Sequence, residues 1–141
     1  MNDLPQFHRM ANDLLKMVGL QEEVLKEDQD TISIKVEDRF SIHFCMDESG
    51  SCFFLGDRLK ADGASTAGFH RDWLMANQIC SGKLQPVTAL NEAGELTCWV
   101  RLPQGICEAG ELTEAFDALV ERMDQLTQPL ARGGWRRECR D

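Results

Sequence analysis

Alternation of apolar and polar side chains between residues 31 and 59 limits the fold of this chain more than any other feature. The apolar members of its first two runs are Ile32, Ile34, Val36, Phe40, Ile42 and Phe44. A period of two is typical of a half-buried β-strand, because successive side chains of a strand point to opposite faces of the sheet. We therefore predict strands near residues 31–36 and 39–46.

The register of this first hairpin can be predicted from the same pattern. Pairing Val36 with Phe40 and Ile32 with Phe44 places every large apolar residue on one face of the sheet. This register requires a three-residue turn, Glu37-Asp38-Arg39.

A third strand, from Ser51 to Leu59, follows the turn Asp47-Glu48-Ser49-Gly50. Pairing Phe44 with Phe53 continues the apolar face, so we predict an antiparallel meander of three strands. In this register Phe54 lies on the second face, which is otherwise mainly polar and carries Ser33, Lys35, Ser41, His43, Cys45 and Cys52. An aromatic side chain on such a face is either packed under another element or available for binding.

Apolar residues at helical spacing predict three helices, near residues 3–18, 67–80 and 111–127. Two more strands are predicted near residues 84–90 and 95–102, on either side of an N-x-x-G turn. The resulting order is α-β-β-β-α-β-β-α. It indicates an α+β fold in which a twisted antiparallel sheet packs against helices.

The second hairpin leaves one tryptophan on a face that is nominally exposed. Pairing Val87 with Cys98 makes a core face and puts Trp99 beside Pro86 on the other face. A tryptophan in that position either anchors an interface between subunits or is covered by a helix of its own chain.

The organisation along the chain indicates a single unit. No internal repeat, low-complexity tract or long linker interrupts the sequence, so we predict one domain over residues 1–131. Residues 132–141 carry four arginines, one before and three after Gly133-Gly134, and are expected to form a flexible basic tail. Such a tail is either a solvated end or an electrostatic contact with an acidic partner.

Composition narrows the classes of partner. The chain has 24 acidic against 15 basic side chains and a net charge of -9, which repels nucleic acid and anionic membranes. No apolar run reaches the roughly 18 residues of a membrane span, and no signal-peptide pattern opens the sequence. We therefore expect a cytoplasmic protein whose six cysteines are reduced.

Catalytic and metal chemistry find little support in the sequence. His8 and His70 have no evident nucleophile as a partner. His43, Cys45 and Cys52 share a predicted face, but three ligands at this spacing fit no common structural zinc pattern. We expect no enzyme activity, no metal and no cofactor.

Three short stretches follow one another along the chain in a characteristic order, although each of them is common by itself. They are Leu74-Met75-Ala76-Asn77 in the second predicted helix, Leu90-Asn91-Glu92-Ala93-Gly94-Glu95-Leu96 at the second hairpin, and Arg101-Leu102-Pro103 at its end. With the predicted element order in an acidic chain of this length, they resemble the class I type III secretion chaperones, the Tir-chaperone-like family. The resemblance extends over nearly the whole chain.

The resemblance implies a homodimer that binds the N-terminal segment of a secreted effector and keeps it soluble and export-competent without ATP. The secretion ATPase and sorting components are further partners that it allows. The alternative is a regulatory protein of the same fold that sequesters a transcriptional regulator or anti-regulator. A generic acidic α+β domain outside secretion is the third interpretation, because fold alone does not establish function.

Site residues follow from the resemblance together with the predicted faces. The dimer interface is expected to contain Trp73, Asn77, Leu84, Pro86 and Trp99. Client binding is expected to use Phe7, Met10, Leu14, Met17, Ile32, Ile34 and Phe54. For Met10 and Met17 the competing interpretation is that they fill the core.

Overall fold

The computed structural model describes residues 3–37, 40–59, 74–75, 77, 84–90, 92, 96–102, 109–126 and 135–137. Its helices are α1 (Leu4–Met17) and α2 (Ala109–Leu126). Its strands are β1 (Thr31–Val36), β2 (Phe40–Met46), β3 (Cys52–Leu59), β4 (Val87–Leu90), β5 (Leu96–Arg101) and β6 (Trp135–Arg137). One antiparallel sheet of order β4-β5-β3-β2-β1-β6 packs against the helices, so the predicted α+β class is confirmed.

Of the helix predicted near residues 67–80, only three positions are described. Leu74 and Met75 have helical backbone, and the N–H of Asn77 donates to the carbonyl oxygen of Leu74 at 3.0 Å. The rest of that prediction lies outside the described residues.

Local hydrogen bonds fix where α1 begins and ends. The Asp3 carboxylate accepts from the N–H of Gln6 at 2.9 Å, and the Gln6 side chain accepts from the N–H of Asp3 at 3.0 Å. This reciprocal capping box satisfies two donors that the first turn cannot use internally. At the other end Gly19 takes a φ of 84°, a left-handed conformation that suits glycine and stops the helix.

The first hairpin has the predicted register. Ile32 lies opposite Phe44, Ile34 opposite Ile42, and Val36 opposite Phe40. All six side chains are buried, with exposures of 3% or less, because the face they share packs against the helices.

The predicted register of β3 is wrong by one residue. Phe44 lies opposite Phe54, not opposite Phe53. The loop between the strands is longer than the predicted turn: the N–H of Asp47 donates to the Ser51 carbonyl oxygen at 2.9 Å, and the Asp47 carboxylate accepts from the N–H of Ser51 at 3.0 Å. One extra loop residue moves every side chain of β3 to the other face. Phe54 is therefore completely buried in the core.

The same carboxylate organises the rest of this loop. The Ser49 hydroxyl donates to Asp47 at 2.6 Å, and this bond, followed by the N–H of Ser51, lowers the pKa of Asp47. The loop is thus stabilised in its longer form by a charged acceptor with several donors.

The second hairpin is also shifted by one residue. Thr88, rather than Val87, lies opposite Cys98, and Val87 lies opposite Trp99. Thr88 and Cys98 are on the core face, with exposures of 3% and 0%. The assignment of Trp99 to the face away from the core is correct, whereas that of Val87 to the core is wrong.

Aromatic rings form a continuous row of contacts that runs from α1 over β2 and β3 to α2. The ring centroids of Phe7 on α1 and Phe44 on β2 are 4.9 Å apart, and those of Phe44 and Phe54 are also 4.9 Å apart. Phe116 on α2 meets Phe54 edge-to-face at 5.8 Å. This continuous packing makes the core a single cluster.

Part of the tail that was expected to be flexible is a strand. Trp135, Arg136 and Arg137 pair with Val36, Lys35 and Ile34, respectively. These three residues extend the sheet beyond β1, and the rest of the predicted tail lies outside the described residues.

Candidate protein-binding surfaces

Most residues predicted to bind a client are core residues in this structure. Their common feature is an exposure of 6% or less, and they are Phe7, Met10, Leu14, Ile32, Ile34 and Phe54. Met17 is the exception, with 41% of its surface exposed. The structure therefore brings most of the set together as a packed cluster, and only Met17 offers a side chain for direct contact.

The residues predicted for the dimer interface are distributed differently. Trp73 lies outside the described residues. Pro86 is buried, whereas Asn77, Leu84 and Trp99 are half-buried. Leu84 packs against the core cluster, and the Pro86 carbonyl oxygen accepts from the Arg122 guanidinium at 3.5 Å.

Asn77 is tied to the outer edge of β4 by its side chain. Its Nδ2 donates to the Thr88 carbonyl oxygen at 3.0 Å, and its Oδ1 accepts from the Thr88 N–H at 2.7 Å. The Thr88 hydroxyl also donates to Oδ1, at 3.0 Å. A primary amide matches the spacing of a peptide group, so Asn77 replaces a neighbouring strand at this position. The asparagine of the L-x-A-N stretch thus fixes its segment to the sheet.

A row of apolar side chains crosses the face of the sheet that points away from the core. Leu55 lies opposite Trp99, and Trp99 lies opposite Val87, so the three share one face across β3, β5 and β4. We call Leu55, Trp99 and Val87 the outer row. Each member is half-buried, and the row is therefore partly open to contact. Beside it the Arg101 guanidinium lies 5.7 Å from the ring centroid of Phe53.

Sequence reasoning found only Trp99 among the members of the outer row. The register errors had placed Leu55 and Val87 on the core face. The sequence did contain a signal for the correct register. Both β3 and β4 also fit an alternation of the opposite phase, in which Phe54 and Thr88 face the core.

The face of the sheet that points away from the core also has a polar part, on β1 and β2, whose side chains are buried and hydrogen-bonded to each other. The Ser33 Oγ and the His43 Nδ1 are 2.6 Å apart, and the two residues are 0% and 9% exposed. Cys52, which was predicted to share a face with His43 and Cys45, lies on the core side instead, with an exposure of 2%. Within the described ranges no group of three His, Cys, Asp or Glu residues could hold a metal ion.

The connector between α1 and β1 is held to the helix by side chains. Asn12 donates to the Glu23 carbonyl oxygen at 3.0 Å and accepts from the Glu23 N–H at 2.7 Å. The His8 Nε2 lies 2.8 Å from the Gln29 carbonyl oxygen. These bonds leave Val24 fully exposed on the connector, at 103%. No helix in the described part of the chain is long and apolar enough to span a membrane.

Several solved structures share this fold. A chain of the ExoT–SpcS complex from Pseudomonas aeruginosa has a TM-score of 0.67 and 14% identity, covering 87% of this chain and 98% of that chain. A chain from the Yersinia pestis type III secretion chaperone SycH in complex with a stable fragment of YscM2 has a TM-score of 0.65 and 15% identity, covering 86% and 99%. For the ExoU–SpcU heterodimeric complex from the type III secretion system of P. aeruginosa the values are 0.60 and 19%, covering 84% and 98%.

A comparison with curated protein sequences finds no significant match. The model of the Tir chaperone protein (CesT) family, in contrast, matches residues 9–127. This span runs from α1 to the end of α2 and includes both hairpins and the segment around Asn77. The resemblance noted in the sequence is thereby confirmed, and the chain belongs to the Tir chaperone protein (CesT) family.

Proposed function

We propose that this protein is a cytoplasmic type III secretion chaperone that binds the N-terminal segment of a secreted effector. The observation that carries the proposal is the family match over residues 9–127. The fold supports it, since it resembles chains from complexes with ExoT, ExoU and a YscM2 fragment. Covering the apolar side chains and unpaired backbone groups of a non-globular segment keeps it soluble. Such binding needs neither ATP nor a catalytic group.

The outer row supports a homodimer. Leu55, Trp99 and Val87 form a contiguous apolar strip that is only half-buried in the single chain. Leu74 and Met75, exposed by 67% and 48%, lie just before the asparagine that is bonded to β4. A second copy that packs on this side would bury both groups, and the aromatic Trp99 would anchor the contact.

Client contact is proposed for Met17 and for the backbone of β1. Met17 is exposed on α1, and its Sδ accepts from the Thr113 hydroxyl at 3.4 Å, which places it next to α2. Ile32 and Ile34 lie on β1, whose outer side pairs with the three-residue strand β6 at Ile34, Lys35 and Val36. In this proposal the buried side chains of the predicted client set build the core, while the adaptable thioether and the strand backbone contact the client.

The proposal can be tested by capturing the tagged protein from its own host under secretion-inducing conditions. Bound proteins are identified by mass spectrometry, and the mass of the purified complex is measured by light scattering. The expected complex holds two copies of this chain and one secreted protein, bound through its N-terminal region. A Met17→Ser variant should capture less of the same protein, whereas the matched surface variant Val24→Ser should capture the same amount.

Two other outcomes contradict the proposal. Two copies with a transcriptional regulator or anti-regulator would select the regulatory alternative. A monomer without any partner protein would overturn the chaperone assignment and the homodimer together.

A further inference from the structure

We propose that Met17 is a site of reversible oxidation by peroxides, and that the Thr113 hydroxyl directs the transferred oxygen to one of the two lone pairs of its sulfur. The modification regulates the contact that Met17 makes with a client, and only this consequence rests on the proposed function. The proposal is carried by the exposure of Met17 and by the hydrogen bond that its sulfur accepts.

Met17 differs in exposure from two other methionines of the described helices. It is 41% exposed at the last residue of α1, whereas Met10 on the same helix is 6% exposed and Met123 on α2 is 0% exposed. A peroxide has to reach the sulfur in order to oxidise it. The packing therefore protects the two buried thioethers and leaves Met17 open to the reagent.

The two lone pairs of the Met17 sulfur have different surroundings. The Thr113 hydroxyl on α2 donates to Sδ at 3.4 Å and so occupies one of them. Leu14, one turn before Met17, and Leu112, next to Thr113, are completely buried, so the occupied side faces the packed joint between the helices. Attack on a peroxide should therefore proceed through the second lone pair, on the exposed side.

The reaction needs a peroxide as its only oxidant. The free lone pair attacks one peroxide oxygen, the O–O bond breaks, and the leaving hydroxide becomes water by taking the proton of the transferred oxygen. An S–O bond forms, the sulfur loses an electron pair and the peroxide gains it. The product is a chiral sulfoxide, and reductases specific for each epimer return it to the thioether. Because one lone pair is occupied, one epimer should predominate.

Oxidation changes the surface that Met17 offers to a client. The thioether is apolar and adapts to different side chains, whereas the sulfoxide is polar and carries an oxygen that accepts hydrogen bonds. Burying that oxygen against an apolar side chain without a donor is unfavourable. A peroxide should therefore weaken the proposed client contact, and a sulfoxide reductase should restore it.

The modification can be tested on the purified full-length protein without a client. The protein is treated with hydrogen peroxide, and sulfoxide formation is followed by peptide mass spectrometry. Met17 should be oxidised at least about tenfold faster than Met10 and Met123. Treatment of the peptides with each epimer-specific reductase then gives the epimer ratio at Met17. One epimer should exceed the other at least about twofold, the effect of a weak hydrogen bond, whereas protein oxidised in urea should give equal amounts.

Variants of Thr113 test whether the hydroxyl directs the oxygen. Thr113→Ala removes the hydroxyl and should bring the two epimers at Met17 to nearly equal amounts. Thr113→Ser keeps the hydroxyl and should keep the excess seen in the unsubstituted protein. Equal oxidation rates for Met17, Met10 and Met123 would overturn the proposal, and so would the same epimer ratio in the alanine and serine variants.

The consequence for client binding is measured separately, with the secreted protein identified in the capture experiment. Peroxide-treated protein should capture it at least about threefold less than untreated protein. Met17→Leu cannot be oxidised at this position, and its capture should not change on treatment. Equal losses in the two proteins would overturn the regulatory role. If no secreted protein is captured at all, the proposed function fails, whereas the oxidation rates and the epimer ratio still decide the modification.

Discussion

Asn77 contacts Thr88 in the way that one strand contacts the next: its amide donates to the carbonyl oxygen at 3.0 Å and accepts from the N–H at 2.7 Å. The family resemblance had pointed to Asn77 through a short sequence stretch and had assigned it to the dimer interface. The geometry gives it a role within the single chain, where it joins its segment to the edge of the sheet. Gln85 adds a bond to the Asn77 carbonyl oxygen, at 3.3 Å.

Replacing Asn77 by aspartate should destabilise the fold. The Asn77→Asp change removes the donor to the Thr88 carbonyl oxygen and faces that oxygen with a carboxylate. The expected loss in the free energy of unfolding is about 1–3 kcal/mol, the usual effect of leaving a partly buried group unsatisfied, and urea unfolding measures it. Thr88→Val removes only the hydroxyl bond and should have a smaller effect. If Asn77→Asp left the free energy of unfolding unchanged but abolished the proposed dimer, Asn77 would instead belong to the subunit interface.

The register of β3 can be tested with two adjacent phenylalanines. Phe54 is fully buried between Phe44 and Phe116, so Phe54→Ala should lower the free energy of unfolding by about 3–5 kcal/mol. Phe53 is half-buried on the other face, and Phe53→Ala is the matched control with a much smaller expected loss. Thermal and urea unfolding provide the comparison. If the two losses were reversed, the register observed here would be wrong and the one predicted from sequence would be right.

The outer row predicts how the proposed homodimer should respond to charge. Trp99→Glu places a carboxylate in the middle of the row and should give monomers, measured by light scattering at several protein concentrations. Val24→Glu adds the same charge at a fully exposed apolar residue and should leave the mass unchanged. An intact Trp99→Glu dimer would exclude the outer row as the subunit interface.

The sequence predicted the elements better than their registers. Ile32, Ile34 and Val36 have strong partners in Phe40, Ile42 and Phe44, so only one register of the first hairpin buries all of them. For β3 the alternation gives two acceptable phases, and the choice depends on the hydrogen bonds of Asp47 in the preceding loop, which no periodicity reveals. A hydrophobic pattern reports a register only where the alternative phase would expose large side chains.

The sequence also predicted the candidate site incompletely, for a related reason. Apolar periodicity shows that Phe7, Leu14 and Ile34 belong to a buried surface. It does not show whether that surface is covered by the chain's own helices and sheet or by a client. The strand at Trp135–Arg137 has three residues, two of them basic, and carries no alternation long enough to detect. Its pairing with β1 depends on tertiary context.

The thiols offer a prediction about accessibility. Burial raises the pKa of the Cys98 thiol to about 12, and the nearby Arg122 charge only partly opposes this effect. Cys52 is also buried, whereas Cys45 is half-buried. In iodoacetamide labelling at pH 8, followed by peptide mass spectrometry, Cys45 should react much faster than Cys98, because alkylation requires a thiolate that the reagent can reach. Equal rates for the two would contradict the packing of β5 against α2.

The same raised pKa predicts the response of stability to alkaline pH. The folded-state pKa of Cys98, about 12, lies above the 9.0 of a free thiol. Below pH 9 the thiol is protonated in both the folded and the unfolded state, so its full contribution to stability is present. Between pH 9 and 12 only the unfolded state gains by ionising, and the contribution is progressively lost. The free energy of unfolding can be measured with urea from pH 8 to 10.5, each protein being compared with its own value at pH 8. It should decline less steeply in Cys98→Ala than in the unsubstituted protein. Equal slopes would mean that Cys98 ionises alike in both states and is therefore not buried in the folded protein.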